Sequence, residues 1–347
     1  SGRTTYEIAG QAAERALADA GLTPRDIDGL MYVPFSGDQM DAKAFHAHFG
    51  TSHDLWTSDK GGGMVWAGSA PHDAALAIRS GKAKYVLNTF SVAWATQRPQ
   101  MVGGPGHVHA EDLYKQNLEV PFGWFPQPVY FANIATRHMQ EYGTTSEQLG
   151  AIAVACRRHA NLTPGAVMHG KPLTLEQYLA SPMIADPFRK EDCCLISDGG
   201  AAYIMTSLER ARDLKQPIIA VLGVGVGNAK SGVYWSQQGD FTATPQEFAA
   251  PRSFAMAGVK PDDVDVLACY DPFTIVSLMQ IEDMGFCAKG DGGTFVAGDT
   301  LHFDSGKQPY NTHGGMLSHA YVLGIAHVIE CVKQLRGTAA AQVPGCE

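Results

Sequence analysis

The sequence predicts an α/β protein assembled from two similar halves. Three observations carry that expectation. Residues 16–33 (ALADAGLTPRDIDGLMYV) and 253–270 (SFAMAGVKPDDVDVLACY) match at a constant offset of 237, with identities at Gly21/Gly258, Pro24/Pro261, Asp26/Asp263, Asp28/Asp265 and Leu30/Leu267. A second pair follows in the same order: Gly68–Gly81 resembles Gly324–Gly337, each a helix with small residues on one face that stops at Gly. Length is the third, because 347 residues suffice for about two domains, or for one fold built from two related units, with a real core.

Each element has a local cause. In both repeats an alanine-rich helical pattern runs into a Gly that can cap it at positive φ. Pro follows, which cannot continue the helix, and an apolar run then enters the sheet. The run KYVLNTFSVA (84–93) reads as a buried strand, SDGGAAYIMTS (197–207) as the strand on which the first half resumes, and PIIAVLGVGV (217–226) as the strand that opens the second half. Self-similarity on this scale implies a duplicated unit with a pseudo-twofold axis, divided into residues 1–208 and 209–347. Residues 97–190 form an insertion, with the Pro/Gly clusters GGPGHVH and VPFGWFPQP followed by two helical patterns, VYFANIATRHMQEYG and SEQLGAIAVACRRHANL. Segments of this kind cover active sites or bind ligand tails. A strand precedes the second repeat but not the first, and the chain stops at VPGCE, so further short strands are expected before Ser1 and after Glu347.

Composition narrows the function classes. Hydrophobic residues at 45% and charged residues at 18% fit a soluble globular protein, not a disordered or coiled-coil chain. A net charge of −9 with no Lys/Arg run argues against nucleic acid as the main partner, since phosphate contacts need a basic face. No apolar run is long enough to span a membrane and the N-terminus has no signal pattern, which makes a cytoplasmic address the expectation. Seven scattered cysteines, an odd number, point to a reducing compartment and not to a disulfide framework. None of them precedes Cys156.

Several motifs are better explained without chemistry. Gly223, Gly225 and Gly227 form half of a dinucleotide fingerprint, but Asn228 stands where the third spacing would need Gly. His107, His109, Glu111 and Asp112 lie in a Gly/Pro loop without a second ligand cluster and read as solvated loop residues, so no metal is expected. Cys193-Cys194 are adjacent, not spaced as CxxC, and read as buried structural thiols. The Gly-x-Ser-x-Gly elbow of hydrolases is absent.

The informative constellation is YNTHGGMLSHAYVLG (310–324), which packs Asn311, His313, Gly314, Gly315, His319 and Tyr321 just before the helix of the second repeat. A double glycine lets backbone approach a ligand and offers two amide donors, as a thioester oxygen needs when it becomes an enolate. Tyr270-Asp271-Pro272-Phe273 ends the repeated apolar run, where polar side chains of α/β sheets meet ligands. Tyr270, Tyr321, His313 and His319 are the catalytic candidates. Asn311, Asp271, Gly314 and Gly315 are the substrate-binding ones.

With Asn311-Thr-His-Gly314-Gly315, SDGGAA (197–202), MIADPFRKEDCCLISDGG (183–200) and AMAGVKPDD (255–263), the chain resembles the thiolase superfamily in its lipid-transfer, sterol-carrier-thiolase branch. The resemblance implies a five-layered αβαβα fold, a homodimer and a CoA thioester substrate. Thiolases park the acyl group on a cysteine at the start of the buried helix of the first half. Counting back from Ile78-Arg79-Ser80-Gly81 puts that position at Met64, or near Trp66 with two residues inserted, and neither is Cys. The His that activates the thiolase nucleophile becomes Tyr321, and the residue opening the strand-end motif becomes Tyr270.

This double replacement, together with GFCAKGDGGTF (285–295), resembles the thiolase-like aldolases that remove side chains from steroid-CoA thioesters. The resemblance implies retro-aldol cleavage of a β-hydroxyacyl-CoA to a ketone and a short acyl-CoA. It also implies a heterotetramer with a small OB-fold protein of the domain-of-unknown-function-35 type, and no cofactor beyond the CoA of the substrate. Such a cleavage needs a base for the β-hydroxyl and an electrophilic site for the thioester oxygen. A tyrosine, with an ordinary pKa of about 10, would need to be stabilised as phenolate or to relay its proton to His319 or His313.

Overall fold

The computed structural model describes residues 1–33, 39–60, 63–101, 113–124, 126–229 and 235–347. α1 (Thr5–Ala20) opens on a capping box, with Thr4 Oγ1 accepting from Glu7 N and the Glu7 carboxylate accepting from Thr4 N, and closes at Gly21. β1 (Gly29–Tyr32), α2 (Ala42–Phe49), β2 (Trp56–Asp59), α3 (Ser69–Arg79), β3 (Val86–Ala93) and α4 (Trp94–Met101) follow. The inserted segment supplies α5 (Gln127–Tyr142), α6 (Ser146–Leu162), α7 (Leu175–Leu179) and the short pair β4 (Met183–Ala185) and β5 (Phe188–Arg189). β6 (Asp198–Met205) and α8 (Leu208–Ala211) come next.

These strands form one four-stranded sheet in the order β2-β1-β3-β6. β1 runs parallel to β2 and β3, and β6 returns antiparallel to β3 over its whole length, from Val86↔Met205 to Ala93↔Asp198. Every residue of β3 is buried, as expected of a strand covered on both faces. Leu87 packs with Ala9, Ala13 and Leu17 of α1, whereas Val86, Phe90 and Val92 meet Ala70, Ala74 and Ala77 of α3 and, from the far end of the chain, Ile325 and Ala326. The period of two in the strand thus decides which layer each side chain joins.

The rest of the chain contributes α9 (Gln246–Ala257), α10 (Thr274–Asp283), α11 (Gly292–Val296), a π-helical turn (Gly315–His319) and α12 (Ile325–Leu335). The two repeated segments share their helix ends and turns. Gly21 and Gly258 cap α1 and α9 at φ 74° and 73°, and Asp26 and Asp263 accept from the backbone N–H of Thr23 and Lys260 at 2.7 and 2.9 Å. α5, α6 and α10 enclose a third apolar cluster with Leu267, Cys269 and Phe273.

Three expectations are corrected. Residues 217–226 join no sheet among the described residues, and the repeated run before Tyr270 keeps a single bridge, Leu267 to Tyr310. A Cβ on Gly223, Gly225 or Gly227 would lie 2.3, 1.9 or 2.3 Å from the carbonyl oxygens of Ser253, Ala249 and Pro245, so the glycines let this segment lie directly on the backbone of α9. The Gly-x-Gly-x-Gly pattern serves close packing, in line with the absence of a full dinucleotide fingerprint. Cys193 and Cys194, expected to be buried, are half-buried. The His107–Asp112 cluster and the side chain of Met64 lie outside the described residues.

Candidate active site

Tyr270 follows the bridged run of the second half, and Tyr321 follows the π-helical turn. Their hydroxyl oxygens lie 2.9 Å apart, a direct hydrogen bond between residues 51 positions distant in sequence. The pair is held by residues from distant parts of the chain. Trp94, the first residue of α4, stacks on the Tyr321 ring with centroids 4.7 Å apart, and Ser197, just before β6, accepts from Tyr321 N at 2.8 Å. Gln280 of α10 donates to the Tyr270 carbonyl at 2.6 Å. Burial pushes both phenols above their ordinary value; the bond from Tyr321 offsets part of that rise at Tyr270, while the neighbouring Tyr270 raises Tyr321 further. At neutral pH both hydroxyls therefore carry their protons.

The histidines sit elsewhere. Neither tyrosine hydroxyl bonds a histidine among the described residues, so the expected relay to His313 or His319 has no link here. His313 is buried within a cluster of rings, 4.8 Å from His327 and 5.2 Å from His319. Burial holds His313 well below the ordinary imidazole value and brings His319 down to about 4, with the nearby Lys333 and His327 acting in the same direction. Both are neutral at pH 7.

Asp271, Asn311 and the glycine pair are tied into the surrounding backbone. The Asp271 carboxylate is fully buried. Its Oδ1 accepts from Met316 N and His327 Nε2, each at 2.9 Å, and its Oδ2 accepts from Leu317 N at 3.2 Å and faces the Cys156 thiol at 3.9 Å. Asn311, at φ 41°, uses its side chain as a strand would use its backbone: Oδ1 accepts from Cys269 N and Nδ2 donates to Cys269 O, at 2.9 and 3.0 Å. Its own carbonyl takes the Gly314 N–H at 2.7 Å. A Cβ on Gly315 would lie 2.0 Å from Asp271 Oδ2, and one on Gly314 would lie 2.6 Å from Ala160 Cβ. The double glycine therefore admits a carboxylate and the helix α6 to the turn, and only the Gly315 amide is left without an acceptor among the described residues.

The cysteines share one electrostatic feature. All seven are free, and burial raises each thiol, bringing Cys193, Cys287 and Cys331 up to about 12. The thiolate is the nucleophilic form, so none is primed to accept an acyl group at neutral pH. Near the position where the resemblance places a thiolase nucleophile, Trp66 is wholly buried, and its carbonyl accepts from the Tyr203 hydroxyl at 2.7 Å. No group of three or more His, Cys, Asp or Glu that could hold a metal occurs among the described residues.

A family model described as the thiolase C-terminal domain matches residues 227–347. Over 99% of its length the chain is 34% identical to the steroid side-chain-cleaving aldolase of Thermomonospora curvata, covering 88% of that protein. Over 100% of its length it is 36% identical to the 17-hydroxy-3-oxo-4-pregnene-20-carboxyl-CoA lyase of Mycobacterium tuberculosis, covering 90%. The chain belongs to the steroid side-chain-cleaving aldolase family. Among solved structures, a Ltp2-ChsH2(DUF35) aldolase superposes with a TM-score of 0.90 at 32% identity, covering 100% of this chain and 88% of that one. The thiolase fold expected of the chain is thus the fold it has.

The structure adds two residues to this site that no sequence motif marks. His327 was legible only as one position of a buried helix, yet it bonds Asp271. Trp94 was legible as part of no motif, because it reaches Tyr321 across 227 residues of chain, a contact that only packing creates.

Proposed function

We propose that the chain is a carbon–carbon lyase that cleaves a β-hydroxyacyl-CoA carrying a bulky, steroid-like acyl group into a ketone and a short acyl-CoA. The observation that carries this reading is the hydroxyl contact between Tyr270 and Tyr321, in a chain whose cysteines are all unprimed. In the retro-aldol step the β-hydroxyl gives up its proton, its C–O bond becomes C=O, and the Cα–Cβ bond breaks. The electron pair passes into the thioester as an enolate, which is then protonated at Cα. Neither tyrosine rests as a phenolate, so the pair acts as a relay: one phenol oxygen receives the substrate proton as its own proton moves to the other, which protonates the enolate carbon. Charge need not accumulate on either ring, which suits a buried site. The Gly315 N–H is the backbone donor still free to face the thioester oxygen. CoA enters as part of the substrate.

Three further elements belong to the same reading. The chain pairs with a second copy through the thiolase fold. Each copy binds a small OB-fold protein of the DUF35 type, supported by the naming of the similar solved complex. Residues 1–208 and 209–347 are its two halves.

The test is incubation of the chain, alone and with a DUF35-type partner, with a β-hydroxyacyl-CoA bearing a bulky tertiary alcohol, with ketone release followed by mass spectrometry. Ketone release by the wild-type complex, reduced at least 100-fold in Tyr270→Phe and Tyr321→Phe, is expected. Full release by both variants would overturn the reading in favour of a non-catalytic CoA-thioester-binding subunit. A mass increase from an acyl-enzyme would favour an acyltransferase.

A further inference from the structure

We propose that Asp271 and His327 are positioning residues that set the contact between the two tyrosine hydroxyls. The inference rests on the aldolase reading of the tyrosine pair and adds the residues that hold it. Tyr270 and Asp271 are consecutive, so whatever fixes the carboxylate fixes the backbone from which Tyr270 projects. The carboxylate bonds the chain on both sides of Tyr321: Met316 N and Leu317 N come from the turn that leads into Tyr321, and His327 Nε2 comes from the helix that leads away from it. Asp271 and His327 are 0% and 1% exposed at their side chains, and neither reaches the tyrosine hydroxyls through a hydrogen bond. They act on the pair only through the backbone that they tie together.

The chemistry assigns each atom a task. A carboxylate accepts only, so the His327 ring must carry its proton on Nε2. His327 Nδ1 has no partner among the described residues. The single bond to Asp271 thus fixes the orientation of the ring. The overlap that any Cβ at Gly315 would make with Asp271 Oδ2 shows how closely the carboxylate is seated under the turn. Misplacement of reacting groups by about 1 Å can cost about 100-fold in rate, so a loosened clamp should act on the chemical step and leave substrate affinity largely intact.

The experiment uses the full chain with 3-fluorotyrosine at its 12 tyrosines and reads ¹⁹F NMR, with the two relevant resonances assigned by Tyr270→Phe and Tyr321→Phe. His327→Phe removes the donor and keeps a ring, whereas His327→Gln keeps a donor close to the Nε2 position. The two assigned resonances should move in His327→Phe and in Asp271→Asn, stay near wild type in His327→Gln, and leave the remaining resonances in place. In the complex with substrate, kcat should fall about 100-fold in His327→Phe with KM within about twofold, and recover in His327→Gln. Unmoved resonances in a His327→Phe protein of wild-type circular dichroism would overturn the proposal, as would equal effects of the Phe and Gln substitutions. Should His327→Phe not fold, Asp271→Asn is read by the same criteria. If the wild-type complex releases no ketone, the aldolase reading fails by itself, and the resonances still decide whether the clamp holds the pair.

Discussion

Tyr270 Oη and Tyr321 Oη share one hydrogen bond of 2.9 Å, and the two residues leave the fold from different elements. A relay of this kind works as a unit, so losses should not add. Tyr270→Phe and Tyr321→Phe should each lower kcat by at least about 100-fold, and the double variant should be no more than a few-fold worse than either. Steady-state kinetics on the three proteins check this; multiplicative losses would assign the tyrosines independent tasks.

The pH dependence follows from the same pair. Both phenols are raised above their ordinary value, by burial first. A resting phenolate base would give a rate that climbs with pH through its ionisation, whereas a protonated relay gives no tyrosine limb in the neutral range. The kcat profile in the complex should therefore be flat from about pH 7 to pH 9. A tenfold rise per pH unit within that range would mean that one tyrosine works as a pre-formed base.

Stability should respond to acid through the histidines. His159 and His319 are both brought down to about 4, by burial first, against an unfolded value near 6.5. Between about pH 6.5 and 4 the unfolded chain binds protons that the folded chain refuses, so stability falls as pH drops through that window and the loss levels off below it. Each group contributes up to about 3 kcal/mol at the low end of the window. Thermal melts from pH 7 to pH 4 should show a steep decline, shallower in His159→Gln; identical slopes would mean that His159 carries none of the acid loss.

Gly315→Ala should be far more damaging than Gly50→Ala. Both glycines have positive φ, 60° and 65°, so both substitutions carry backbone strain of about 1 kcal/mol. Only at Gly315 does the new Cβ meet a buried carboxylate, 2.0 Å away; around Gly50 there is open space. We expect Gly315→Ala to cost at least about 2 kcal/mol more, measured by urea denaturation, and to abolish ketone release.

Intact-mass analysis after incubation with an acyl-CoA should show no adduct, and Cys194→Ser should retain activity. Cys194 is the thiol whose charge would be felt by both tyrosines, and burial keeps it protonated. An acyl adduct lost in the serine variant would reinstate covalent chemistry at this site.

The amino-acid sequence by itself determined the local elements and the missing nucleophile. Helix ends at Gly21 and Gly258, the buried run of β3 and the absence of cysteine before Cys156 depend on residue type and short-range spacing, which a sequence displays directly. It also marked Tyr270 and Tyr321 as the residues standing where thiolase chemistry would need others. Tertiary structure decided what each polar group near them does. Asp271 and Asn311 read as ligands for a substrate because polar side chains beside a Gly-Gly turn so often are, yet their partners are backbone groups and His327, supplied from 42 to 56 residues away. Likewise PIIAVLGVGV has the pattern of a strand, but whether a strand pairs depends on neighbouring backbone, and here its glycines meet α9 instead. Hydrogen-bond partners brought together by packing leave no mark in a single sequence; the residue types that make such partners possible do.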